Sequence, residues 1–301
     1  MRVALIWGNN KDAPKFHTHH FFWEAILEEQ DDIEWHRFRW TDFLQMPKDF
    51  DLYLFIDFNE ALYQLDGTDF HPRVLYWWDS FHVPFAFSAQ VTEYFDQSYY
   101  AEYATATALK SMGYRVEWLP PAFYPGLYRP LGTEKLFDYC FVGQQDMTVK
   151  RAGDTRASLL RRLADNKDLE GQITLGIYAE AVNKLYNSSR ILFDRTIFYN
   201  IGTRLFECVG SGGFFLLNKT RIYNGMNSIG MDGVHFATYE DSYESLVDRM
   251  KYYLEHEEER NRIAQQGHKF FLQNHTYQNR LQTILHQLDL GRSVRISFPR
   301  S

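Results

Sequence analysis

Short apolar runs alternate with helix-patterned segments from one end of this 301-residue chain to the other. Parallel strands need a helical crossover between them and are buried on both faces, so they read as unbroken apolar runs. The alternation therefore points to an α/β architecture with parallel sheets. In the first part, residues 3–7, Ile33 to Phe38, Leu52 to Ile56 and Val74 to Trp78 read as strands, and Phe16 to Glu29 carries helical periodicity. Phe95 to Ala101, a helix to Met112 capped by Gly113, and Arg115 to Leu119 make a further strand–helix–strand unit. The stretch from Leu119 to Pro130 is then dense in proline, which fixes φ and interrupts regular structure. After it the pattern restarts. Phe137 to Val142, Ile173 to Ile177, Ile191 to Phe193 and Phe214 to Leu217 read as strands, Arg156 to Asp165 as a helix, and the chain from Ser242 onward as mostly helix. The expected division is a first domain over 1–122, a proline-rich hinge over 123–135, a second domain over 136–275 and a helical tail over 276–301.

Composition narrows the class of protein. A formal net charge of −7 supplies no global attraction to nucleic acid, although a local basic patch is compatible with it. Cys140 and Cys208 both lie in apolar runs, which suits buried thiols in a reducing compartment rather than a disulfide framework. The chain opens directly on Arg2-Val3-Ala4-Leu5-Ile6-Trp7-Gly8, too short an apolar run for a signal peptide, and no run approaches the roughly 20 residues of a membrane span. A cytoplasmic protein is expected. No G-x-G-x-x-G follows the first strand and no G-x-x-x-x-G-K-[ST] is present, so a dinucleotide site or a P-loop is not indicated.

The segment from Asn200 to Asn218 places Arg204 and Glu207 at the start of a short helix that ends in Gly210, Gly212 and Gly213 and runs into the apolar strand Phe214-Phe215-Leu216-Leu217. Free backbone N–H groups and the helix dipole favour anionic oxygen at such a start. A carboxylate three residues after an arginine is a natural partner for ribose hydroxyls beside a phosphate. The alternative is an ordinary helix-to-strand connection with a glycine cap.

Four segments, in order, resemble the C-terminal half of GT-B glycosyltransferases, in particular the group related to spore maturation protein CgeB. They are Leu119-Pro120-Pro121-Ala122 through Leu127-Tyr128-Arg129-Pro130, Asp138 to Gly143, Arg204-Leu205-Phe206-Glu207 with Gly210 to Leu217, and Tyr252-Tyr253-Leu254 through His275-Thr276-Tyr277 with Arg280. Tyr76-Trp77-Trp78-Asp79 is similar to a segment of that family's N-terminal domain. The resemblance implies two Rossmann-like domains facing each other across a cleft, with the tail crossing back to the first. It implies transfer of a sugar from a nucleotide-sugar donor, such as a UDP-sugar, to a hydroxyl-bearing acceptor: a glycan, a protein, a small molecule or a modified nucleic-acid base. No cofactor and no active-site metal are implied.

On that resemblance Glu207 binds the donor ribose. Arg204 meets the diphosphate or pairs with a nearby carboxylate. Gly143 lets backbone approach a ligand or is a plain turn glycine, Arg156 reaches toward the phosphates, and Tyr178 stacks on the nucleobase or packs in the core. The base that takes the acceptor proton is one of His17, His19 and His20 at the start of the first helix, or Asp79 at a strand end, with Asp57 a more distant candidate. Many retaining GT-B enzymes carry two glutamates with seven residues between them; here Tyr199 stands where the first would be, which leaves retention against inversion open. A non-catalytic nucleotide- or sugar-binding module and a sugar-nucleotide epimerase are the competing readings.

Overall fold

The computed structural model describes residues 1–8, 19–80, 83–143, 156–196, 200–219 and 225–290. The chain divides into two compact units, Met1–Pro121 with Tyr277–Ser301, and Ala122–Thr276. The segment expected as a hinge thus falls within the second unit.

In the first unit, β1 (Arg2–Ile6), α1 (His20–Glu28), β2 (Glu34–Phe38), β3 (Leu52–Ile56), β4 (Arg73–Trp77), α2 (Phe85–Thr92), β5 (Gln97–Tyr100), α3 (Tyr103–Ser111) and β6 (Val116–Trp118) follow one another along the chain. The six strands form one parallel sheet in the order β2-β1-β3-β4-β5-β6. All five residues of β3 are buried, the signature of a central strand covered on both faces, whereas the edge strand β2 is mostly exposed. Aromatic side chains fill one face: Trp40, Phe43, Phe55, Trp77 and Tyr100 lie in one buried cluster. Helix α2 escapes the sequence pattern because two of its three buried residues, Ser88 and Thr92, are polar.

The second unit runs β7 (Phe137–Val142), α4 (Arg156–Ala164), β8 (Gly171–Thr174), α5 (Glu180–Asn187), β9 (Ser189–Asp194), α6 (Thr203–Gly210), β10 (Phe214–Asn218), α7 (Met226–Ile229), β11 (Ala237–Tyr239), α8 (Tyr243–Glu255) and α9 (Glu257–Asn274). Its parallel sheet has the order β11-β10-β9-β7-β8. Strand β8 stops at Thr174, earlier than the apolar run suggests, because Gly176 turns the chain with φ +69° and leaves Ile177 and Tyr178 beyond the strand. Helix α5 is another element the apolar pattern hides. Two of its four buried residues are Asn183 and Asn187, whose amides bind the carbonyl of Arg129 at 3.2 and 3.1 Å and so hold the proline-rich segment.

The α6–β10 junction follows from its glycines. Gly213 N–H donates to the Cys208 carbonyl and Gly212 N–H to that of Val209, both at 3.0 Å, and Gly212 takes φ +76°. This paired closure is the Schellman motif, which needs a left-handed residue after the helix. A Cβ on Gly210 would collide with the Phe123 ring, and one on Gly213 with Leu192. These glycines are therefore structural, and they fix where α6 ends and how it hands over to β10.

The chain ends its described part with α10 (Tyr277–Gln287), which belongs to the first unit and packs against α1. Buried Arg280 donates to the carbonyls of Pro120 and Pro121, each at 2.8 Å, and Gln278 reaches Glu29 at 2.8 Å. Among the described residues, no helix is long and apolar enough to cross a membrane.

Candidate active site

Both sheets place their second strand beside the first and their third strand on the first strand's other side. The chain therefore reverses its winding direction between β1 and β3 in one unit, and between β7 and β9 in the other. At such a point the crossover connections diverge and leave a crevice at the carboxyl ends of the strands, where ligands bind in folds of this kind. In each unit the third strand ends on an aspartate: Asp57 follows β3, and Asp194 closes β9.

In the second unit Asp194 is shared by two arginines. Its Oδ1 accepts from Arg156 Nη2 and its Oδ2 from Arg204 Nη1, each at 3.0 Å. The Asp194 and Arg156 side chains are each 4% exposed and that of Arg204 20%, so Arg156 is sealed while Arg204 keeps some solvent access. Burial opposes the charge on Asp194, but Arg204 and Arg156 outweigh it and hold the carboxyl below its ordinary range. Arg204 also donates Nε to the Val142 carbonyl, and its guanidinium sits 5.1 Å over the Phe141 ring. It occupies the space that a Cβ on Gly143 would need, and Gly143 has φ +150°. Gly143 is thus the residue that lets Arg204 lie against the end of β7.

Glu207 is one turn after Arg204 on α6 and so shares its face. It is partly buried, and burial pushes its carboxyl up to about 7 despite the Arg204 charge and the hydroxyls of Tyr128, Tyr186 and Thr203. The α6 N-cap is Gly202, which has no side chain of its own to cap the first-turn N–H groups.

The sequence-level candidates are thereby placed. Arg204, Glu207 and Gly143 come together. Arg204 pairs with Asp194, and this pair is compatible with a diphosphate contact. Arg156 directs donors to Asp194 and, through Nε at 2.9 Å, to the Arg195 carbonyl. Tyr178 is 46% exposed, which removes the core-packing alternative. Sequence reasoning did not single out Asp194. Its only signal was an acid ending an apolar strand, and its importance comes from strand order.

In the first unit Asp57 takes φ +58°, an uncommon conformation for a residue with a side chain. Its Oδ1 accepts from the Trp78 N–H at 2.9 Å, while Oδ2 lies 3.2 Å from His19 Nε2 and 3.0 Å from His20 Nε2. The rings of Trp7, His20, His19 and Trp78 form one stack, with successive centroids 4.8, 4.2 and 4.3 Å apart. Burial works against the charge on Asp57, but the two histidines hold it well below the carboxylate range. Burial and the neighbouring His20 depress the His19 imidazole, against the pull of Asp57 and Asp79. Asp79 itself is exposed. The least favoured acid of the sequence reading, Asp57, is therefore the hub on which both histidines converge. His17 and Tyr199 lie outside the described residues.

The ligand atoms of His19, His20 and Asp57 lie within 4.8 Å of one another, close enough for a metal ion. The two imidazoles are stacked with 25° between their planes, and both Nε2 atoms lie within hydrogen-bond distance of the same Asp57 oxygen.

Comparison with known proteins agrees with this architecture. A family model described as glycosyl transferase-like matches residues 137–286, which span the Asp194 cluster. No curated protein matches the chain in sequence. Among solved structures, Anabaena HepE in complex with UDP and glucose is similar with a TM-score of 0.64 and 12% identity, over 96% of this chain and 99% of that one. Sucrose-phosphate synthase from Thermosynechococcus elongatus gives a TM-score of 0.68 at 9% identity, over 96% and 99% of the two chains. T4 phage BGT in complex with its UDP-glucose substrate gives 0.53 at 14% identity, over 98% and 99%. At these identities the likeness establishes the fold: two Rossmann-like parallel-sheet units of the GT-B type.

Proposed function

We infer that this chain, whose residues 137–286 are glycosyl transferase-like, is a glycosyltransferase that moves a sugar from a nucleotide-sugar donor to a hydroxyl acceptor. The observation that carries the reading is the cluster of Gly143, Arg204, Asp194 and Glu207 at the β7–β9 reversal, beside the Gly202 start of α6. In this reading the first-turn N–H groups of α6 and the partly exposed Arg204 take the diphosphate, whose negative charge grows as the glycosidic bond breaks. Asp194 holds Arg204 in place. Glu207 accepts from the ribose hydroxyls, and the exposed ring of Tyr178 stacks on the base.

The Asp57–His19–His20 cluster serves the acceptor. The acceptor hydroxyl gives its proton to an imidazole, its oxygen bonds to the anomeric carbon, and the bond from that carbon to the diphosphate oxygen breaks, releasing the nucleoside diphosphate. Asp57 then stabilises the imidazolium that forms. Cationic side chains and helix N–H groups meet the diphosphate charge, so this reading assigns no metal to the step. HepE and T4 phage BGT are described with UDP or UDP-glucose, which makes uridine the base of first choice. Within the glycosyltransferases, the resemblance of four ordered segments to the CgeB-like group supports membership of that group. The buried free thiols of Cys140 and Cys208 suit the cytoplasm.

Titration with UDP-glucose, on the wild type and on Glu207→Ala, tests this. A donor at about a hundred times its Kd stabilises the fold by ~2.7 kcal/mol. The wild type is expected to show that stabilisation and slow donor hydrolysis, and the variant neither. Equal behaviour of the two proteins would remove Glu207 from the donor site, and no response to any nucleotide sugar would refute the transferase reading.

A further inference from the structure

Beside the Asp57 cluster, at the carboxyl end of the edge strand β2, lies a cavity of about 290 Å³ lined by Arg37, Phe38, Arg39 and Asp42. Its size is near the lower end of the roughly 300–1,000 Å³ of small-molecule sites. Two arginines in one concavity are notable on a chain of net charge −7, which repels anions at long range.

The two cations differ in how they are held. Arg37 lies flat on the Trp7 ring, 4.3 Å from its centroid, and pairs with Glu24 at 3.3 Å. Glu24 in turn accepts from Trp7 Nε1 at 2.9 Å, so ring and guanidinium are fixed together. Arg39 is partly buried, and no described residue gives its guanidinium a hydrogen bond or an ion pair. A guanidinium keeps five N–H donors and cannot be deprotonated, so a half-buried one with no acceptor is suited to an anion from outside.

The position of the cavity gives this anion a purpose. Arg37 stacks on Trp7, Trp7 stacks on His20, and His20 Nε2 is 3.0 Å from Asp57. The cavity and the proton-accepting cluster are therefore two ends of one row of side chains within the first unit. We propose that Arg37 and Arg39 bind the phosphate of a small phosphomonoester-bearing acceptor, such as a sugar phosphate, and so direct its hydroxyl toward His19, His20 and Asp57. Two guanidiniums match a dianion better than a monoanion, and forked N–H pairs match phosphate geometry. The apolar Phe38 supplies one wall, and Asp42 supplies an acceptor for a hydroxyl. The assignment rests on the transferase reading above, to which it adds the chemical class of the acceptor.

Calorimetric titration of the full chain, with UDP present at saturation to fill the donor cluster, tests it. The probes are hexose phosphates, pentose phosphates and glycerol phosphate, each against its unphosphorylated parent, together with a short DNA duplex. At least one phosphorylated compound is expected to bind about ten-fold or more tightly than its parent. Arg39→Gln should remove that advantage, and Arg39→Lys should restore part of it. A wild-type far-ultraviolet circular dichroism spectrum and an unchanged cooperative melt show that Arg39→Gln is folded, and Arg37→Gln provides a second variant with the same expectation. Equal binding of phosphorylated and parent compounds, insensitivity to Arg39→Gln, or binding of the duplex alone would overturn the proposal. UDP binding is read separately: if it fails, the transferase reading falls, while the phosphate titration, repeated without UDP, still reports on the cavity.

Discussion

Replacing Asp194 by asparagine removes one negative charge at constant shape from between two guanidiniums. In the wild type each Asp194 oxygen receives one arginine at 3.0 Å, and the Arg156 side chain is sealed. In Asp194→Asn one of those oxygens becomes an NH2 group facing an N–H donor, and Arg156 is left as an uncompensated buried cation. Breaking a buried pair by losing one partner costs about 3–5 kcal/mol. Set against a total stability of about 5–15 kcal/mol, this is a severe lesion, equivalent to a fall in Tm of roughly 6–20 °C for a unit of this size. The assay is urea unfolding followed by far-ultraviolet circular dichroism, on the single variant, on Arg204→Gln and on the double variant. Because Arg204→Gln removes one of the stranded cations, the double variant should be less destabilised than the sum of the singles, by about 1–3 kcal/mol. The pH dependence carries the same signature. Asp194 has a folded pKa below its unfolded value, so its contribution is present above the unfolded carboxylate range and is lost as pH falls through the folded value. Asp194→Asn should therefore lose less stability on acidification than the wild type does. A cost under about 1 kcal/mol, or strict additivity of the two substitutions, would refute the shared-carboxylate reasoning.

Other expectations follow from the same two clusters. Glu207 is held up to about 7, from an ordinary 4.5, so its folded state favours the protonated acid and loses relative stability as pH rises through that window. Glu207→Gln should flatten this loss in thermal melts between pH 5 and pH 8. Ribose hydroxyls favour the carboxylate, so UDP binding near neutrality should release a proton, detectable as a dependence of calorimetric heat on buffer ionisation enthalpy. A buffer-independent heat would count against the ribose contact. Gly143→Ala places a methyl where the Arg204 guanidinium lies and imposes φ +150° on an L residue, and UDP affinity should fall about ten-fold or more in a fluorescence titration. His19→Ala and Asp57→Asn should lower sugar transfer by about 10²–10⁴-fold in a coupled UDP-release assay while UDP affinity stays near that of the wild type. A comparable loss of UDP affinity would move this cluster out of the acceptor role. Tyr178→Ala should weaken UDP by about 0.5–1.5 kcal/mol and leave pyrophosphate binding unchanged in competition titrations.

Features governed by neighbouring residues were legible in the chain. The all-buried β3 and the run from Phe214 to Leu217 appear as apolar strings, and β7 begins and ends where its residues say it should. The α6 start, with Arg204 and Glu207 a turn apart, is likewise visible because helix spacing and glycine caps act over a few positions. Helices α2 and α5 were hidden for an equally local reason: polar residues on their buried faces erase the apolar period, and only the partners of Asn183 and Asn187 show why those residues are there.

By itself, then, the sequence determined the kind of elements, their order, and the residue types available at each strand end. Those properties depend on short-range periodicity and backbone preference. Tertiary structure alone decided which strand ends became neighbours. Asp194 is an unremarked strand terminus until β9 pairs with β7, which sets it beside the end of that strand and within reach of Arg156, 38 positions away. Asp57 gains its meaning when β3 pairs with β1 and meets His19, also 38 positions away, and Arg37 gains its own when β2 takes the opposite side of β1. The free energy of these clusters comes from charges brought together out of water, and that proximity is set by sheet order, which no local pattern encodes.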